Sequence, residues 1–200
     1  MRKTRSEAEK THRLILKSAL ILFAKEGIER TTIGMIADRA VISRGAVYWH
    51  FKDKDAIATS VLSLAPSPML YMKKQLKRSE SNDTIETILI RALEKYSKKG
   101  SDENGIAQIL YSYNDLSIGH SKILREESRL SEECMTLIEN RLSNEQHQKN
   151  LLRERSVCAL LLWKAALQRN LIEHEQKVDT ATIGTGLDHI FNSINHMTYN

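Results

Sequence analysis

Thr31 to Lys54 reads TTIGMIADRAVISRGAVYWHFKDK. Apolar residues recur there at helical spacing in two short runs, Ile33, Ile36, Ala37 and Ala40, then Val47, with no proline in either. Thr31 or Thr32 caps the first run, Ser43 caps a helix from Arg44 to about His50, and Asp53 caps one that begins at Lys54. Two short helices joined by about three residues form a helix-turn-helix. Ile36, Ala37, Ala40, Ile42 and Val47 supply its inward set, which leaves Arg44, Gly45, Ala46, Tyr48, Trp49 and His50 facing outward.

That outward set suits DNA. An arginine at position 44 can bond guanine bidentately, Ala46 can meet a thymine methyl, and Gly45 lets the backbone come close. Tyr48, His50 and Lys54 supply a hydroxyl, an imidazole N–H and an ammonium for successive phosphates, contacts that fix position without reading sequence. Thr32 and Ser43 stand at helix starts, where free amides favour a phosphate. Arg2, Lys3 and Arg5 form an arm able to follow the backbone or enter a minor groove. Trp49 has two readings, a DNA contact or packing against the next helix, and the sequence leaves both open.

Charge along the chain points the same way. The formal net charge is +5; residues 1–60 carry 12 Lys/Arg against 7 Asp/Glu, and residues 61–200 carry 18 of each. The whole positive excess sits beside the outward helix, as expected for a polyanion partner at one end of the molecule.

The rest of the 200-residue chain reads as helix: two prolines, eight glycines and no alternating strand pattern of any length. A first helix is expected from about Ala8 to Glu26, stopped by Gly27. The fourth runs past Ile57 and Val61 until APSPM, residues 65–69, kinks or restarts it. Further helices are expected at about 84–98, 103–113, 121–142, 146–173 and 178–197, giving an all-α chain of about nine helices. The expected division is a three-helix reader over residues 1–52 and a ligand-binding and dimerisation domain over 53–200. Val157 to Leu167, VCALLLWKAAL, is apolar nearly all round, and with IGTGLDHIFNSI at 183–194 it predicts a four-helix interface between two copies of the chain. The bland alternative is a helix buried within its own subunit.

Several classes fall away. Lys17 breaks the apolar run of the first helix and no small-residue cleavage site follows it, so a secretory leader is not expected, nor is any stretch near the roughly 20 apolar residues of a bilayer span. Cys134 and Cys158 have no metal or disulfide spacing, and the histidines lack a metal-binding pattern; a reduced, cytoplasmic protein without metal or cofactor is the expectation. No convergent polar cluster suggests an enzyme.

At LFAKEG, TTIGMIADRA and SRGAVYWHFKDK the chain resembles the TetR family of bacterial transcription regulators over about Leu14 to Ile57. Its RKTRSEAEKTHRLIL opening and Tyr-Trp-His-Phe run are similar to AcrR-type regulators of multidrug efflux operons. The resemblance implies a homodimer on a palindromic operator in double-stranded DNA, released by a small apolar or amphipathic inducer. It also implies a ligand cavity in the second domain, for which Met69, Met72, Tyr96 and Tyr113 are candidates, since thioethers adapt in shape and tyrosines add hydroxyls to apolar rings. A regulator of another pathway, or a ligand-independent DNA-binding protein, is the alternative. One position departs: the family usually has glycine where this chain has Val41. Either the turn is rebuilt here or it carries strain.

Overall fold

A computed structural model describes residues 5–78, 83–111, 118–143, 151–172 and 178–192, leaving aside the side chains of 118–124 and 192. Ten helices and no strand occur among the described residues: α1 Arg5–Glu26, α2 Ile33–Arg39, α3 Arg44–His50, α4 Lys54–Leu62, α5 Pro68–Leu76, α6 Ile85–Ser97, α7 Asp102–Tyr111, α8 Ile118–Ser143, α9 Leu152–Ile172 and α10 Thr180–Asn192. The tenth arises at the prolines. Ser67 caps α5 by accepting from the Leu70 amide, and Pro68 takes a first-turn position, where its missing N–H costs nothing, so the chain restarts instead of kinking.

The chain packs as two compact units, Met1–Pro66 with Lys99–Lys122, and Ser67–Lys98 with Ile123–Asn200. These units do not coincide with the functional boundary expected at residue 52, because α4 and α7 pack on α1.

In the first unit α1 is the spine. Ile15, Ala19 and Phe23 are fully buried on one stripe, and α2, α4 and α7 pack against the helix. Gly105 on α7 sits so close to Leu20 that a Cβ there would stand 2.8 Å from the leucine Cδ1. Helix α1 ends where Gly27 takes φ 84°, a left-handed residue that glycine adopts without penalty. The buried Thr31 hydroxyl donates to the Gly27 carbonyl over 2.8 Å and so fixes the entry to α2.

In the second unit α6, α9 and α10 pack on one another and α5 packs on α6. Trp163 of α9 is fully buried, its indole N–H donating to the Leu89 carbonyl over 2.9 Å. The Arg141 guanidinium joins α8 to the α5–α6 connection through the carbonyls of Leu76, Arg78 and Asp83. Outward from this core α9 mixes apolar and polar residues: Leu161 and Ile172 are 59% and 62% exposed, Cys158 and Ala165 are exposed with them, and Glu154, Gln168 and Arg169 share that face. Among the described residues no helix is long and apolar enough to cross a membrane.

Candidate nucleic-acid interface

The α2–α3 turn is built from backbone. The Ile42 amide donates to the Ala37 carbonyl over 3.0 Å and the Val41 amide to the Asp38 carbonyl over 3.1 Å, the paired bonds of a Schellman motif. That motif requires a left-handed residue between the helix and its closing amide. Val41 occupies the position with φ 54°, the one non-glycine with positive φ among the described residues, and it is 89% exposed. The turn is therefore not rebuilt; the valine bears the strain, of about 1–2 kcal/mol.

Ser43 then starts α3, its Oγ accepting from the Ala46 amide at 3.1 Å, and Thr32 does the same for α2 with the Met35 amide at 3.2 Å. Val47 is fully buried, and since α3 is only seven residues long, one inward side chain leaves nearly all the others outward. Tyr48 and Trp49 are 57% and 71% exposed; Arg44 and Gly45 are exposed, Ala46 and His50 half-buried. Trp49, 71% exposed, meets the His50 ring edge-on at 4.6 Å and is not buried against the next helix.

A ring cluster unforeseen in the sequence joins α3 to α1. His12 stacks on Phe51 with centroids 4.7 Å apart and meets His50 edge-on at 5.8 Å. His12 and Phe51 stand far apart in the chain, and no periodicity or motif couples them. Lys54 also has a second commitment: its ammonium donates to the carbonyls of Ile28 and Glu29, leaving one N–H unspent by these bonds. Arg5 opens α1, exposed, within 3.6 Å of Glu9; Arg2 and Lys3 lie outside the described residues.

Of the expected ligand residues, Met69, Met72 and Tyr96 are fully buried in the second unit, and Tyr113 lies outside the described residues. The Tyr96 hydroxyl donates to the Ser67 carbonyl at 3.2 Å, the N-cap of α5, and Tyr71 meets the Tyr96 ring edge-on. Glu127, a buried carboxylate absent from the sequence-based set, accepts from the Met69 amide at 3.1 Å. Close by, the Cys134 thiol donates to the Met69 carbonyl; burial, with the charges of Glu127 and Glu133, pushes it up to about 12. No group of three or more potential metal ligands occurs among the described residues.

The sequence profile described as bacterial regulatory proteins, tetR family, matches residues 15–61, the stretch from α1 through α4. The HTH-type transcriptional regulator AcrR of Shigella flexneri is 38% identical over 96 residues, 46% of this chain and 45% of that protein. The uncharacterized HTH-type transcriptional regulator TtgW of Pseudomonas putida is 31% identical over 115 residues, covering 52% of this chain and 86% of TtgW. Against the first curated relatives that it matches, the chain spans about half of their length. The fold is similar to the crystal structure of NalD, the secondary repressor of the MexAB-OprM multidrug efflux pump in Pseudomonas aeruginosa, with TM-score 0.67 at 20% identity over 92% of this chain and 95% of NalD.

Proposed function

Because this chain belongs to the tetR family of bacterial regulatory proteins, we propose that it is a cytoplasmic, homodimeric, non-enzymatic repressor that binds a palindromic operator through α3 and releases it when a small amphipathic molecule binds the second unit. One observation carries the DNA reading: α3 is capped, strapped to α2 by a Schellman turn and buried through Val47, yet it exposes Arg44, Gly45, Tyr48 and Trp49 together. Arg44, Gly45 and Ala46 read base edges. Tyr48, Trp49, His50, the hydroxyls of Thr32 and Ser43, and the remaining N–H of Lys54 meet phosphates, and Arg2, Lys3 and Arg5 extend the contact.

The exposed large apolar residues of α9 support the dimer, since Leu161 and Ile172 face water in a single chain and α10 packs on the same helix. Two recognition helices about 34–36 Å apart then enter successive major grooves. A ligand releases the operator only by preferring a conformation with another spacing. Control of an efflux operon is supported by the likeness to AcrR in sequence and to NalD in fold.

The test is selection of duplexes from a random-sequence pool, followed by titration of the selected site at several salt concentrations. With about 6–10 phosphate contacts, affinity falls at least about a thousandfold between 50 and 200 mM salt. A salt-insensitive complex, the absence of any selected sequence, or a monomeric protein–DNA complex in sedimentation overturns the reading.

A further inference from the structure

Gly34 is the second residue of α2 and is buried. Its φ is not positive, since Gly27 and Gly100 are the glycines in that region among the described residues, so the backbone does not require glycine there. Within a helix, glycine is less stable than alanine because it gives up more freedom on folding. What a side chain there would meet is the end of another side chain. A Cβ at Gly34 would stand 2.8 Å from Nη2, 3.1 Å from Cζ and 3.1 Å from Nε of Arg44. The guanidinium therefore occupies the space over Gly34 that a side chain there would take.

The Arg44 guanidinium makes no hydrogen bond or ion pair among the described residues. Among the described residues its five N–H donors stay unspent, and the open space over Gly34 is what accommodates it. An exposed arginine ordinarily samples many rotamers and loses that freedom on meeting a base. One that already rests on a surface loses less, and its planar fork is presented in a limited set of directions.

We propose that Gly34 is a positioning residue for sequence recognition: by lacking a side chain it leaves the Arg44 guanidinium a seat on α2, which orders the fork before DNA arrives. Gly34 touches no base itself; it acts through Arg44. This inference rests on the reading of α3 as the DNA recognition helix.

The probes are a duplex selected from a random pool by the wild-type protein, its single-base-pair variants and an unrelated duplex. Arg44→Ala identifies the pair that Arg44 reads, as the position where a discrimination of about 5- to 150-fold disappears. Gly34→Ala is expected to cut discrimination at that same pair by about 2- to 10-fold, with affinity for the unrelated duplex kept within about 2-fold. In the Arg44→Ala background it should remove nothing further. In the DNA-free protein, the Arg44 Nε–H signal should be ordered in wild type and mobile in Gly34→Ala. The unfolding midpoint should rise by about 2 °C, as alanine is the better helix former.

Wild-type discrimination in Gly34→Ala, an equal loss with and without Arg44, or a lower midpoint overturns the proposal; the last would mean that the fold, not the arginine, needs the glycine. If the wild-type protein selects no sequence, the DNA reading itself fails. The Nε–H measurement, made without DNA, still reports whether Gly34 seats the guanidinium.

Discussion

The ammonium of Lys54 lies 2.8 Å from the carbonyl oxygen of Ile28 and 3.0 Å from that of Glu29, tying the first residue of α4 to the segment that follows α1. The bonds close the reader on itself, so the residue expected to meet a phosphate also holds the fold. Lys54→Met keeps the stem and removes the donor. It is expected to lower stability by about 1.5 kcal/mol, at the low end for charged donors because the site is only half-buried, and to weaken binding to all duplexes alike. Urea unfolding and titration of specific and unrelated duplexes check this. Weakening confined to the selected duplex would mean that Lys54 reads sequence.

Val41→Gly should stabilise the protein. Relief of left-handed strain contributes about 1–2 kcal/mol and greater freedom of the unfolded chain returns about 0.5–1 kcal/mol, a net gain near 1 kcal/mol. In a chain of this size the midpoint should rise by about 2–4 °C. Calorimetry that finds the glycine variant less stable would contradict the strain assignment.

Cys134 should be inert where ordinary thiols react. Its thiol is pushed up to about 12 from 9.0, first by burial and then by the charges of Glu127 and Glu133, so almost no thiolate exists at pH 8. Iodoacetamide should therefore leave Cys134 unlabelled in the folded protein and modify it on unfolding, as peptide mapping will show. The folded state keeps this proton while the unfolded state loses it, so the associated stability is present below about pH 9 and declines as pH rises toward 12. Cys134→Ala should flatten that alkaline decline; an unchanged slope removes Cys134 as its source.

The Tyr96 hydroxyl donates to the Ser67 carbonyl and so pins the cap of α5. If an inducer works on this segment, Tyr96→Phe should shift the concentration for half-release of the operator by about 3- to 10-fold, the worth of one hydrogen bond. Cationic dyes, bile salts and planar phenolics are suitable probes. A hundredfold loss of operator affinity requires about 2.7 kcal/mol of preference for the DNA-free conformation. Tight binding with operator affinity untouched would end the sensor reading and leave the DNA reading intact.

Much of the first unit was legible because its signals are local. Ser43 and Asp53 cap the helices expected of them, and α3 has the bounds inferred from its cap and apolar spacing. Thr31 and Thr32 were equivalent as caps in sequence; the structure divides them, Thr32 capping α2 while Thr31 turns back to Gly27. The His12–Phe51 stack, the Lys54 bonds and the seat of Arg44 on Gly34 join residues from different elements, and one sequence carries no trace of such pairings. In the second unit Met69, Met72 and Tyr96 looked equally suited to core and to pocket, because burial satisfies both; Glu127 was passed over because an acidic residue on a long helix reads as solvated surface.

The Ser43 hydroxyl accepts the Ala46 amide and retains its own hydrogen to give away. Aspartate caps a helix about as well as serine, but it brings a negative charge and no hydrogen to the same place. Ser43→Asp should leave α3 formed while repelling a phosphate, so that architecture and affinity come apart at a single oxygen. If the chain pairs as proposed, such a subunit mixed with wild-type protein should act as a poison, sequestering functional partners in dimers that grip only half a site.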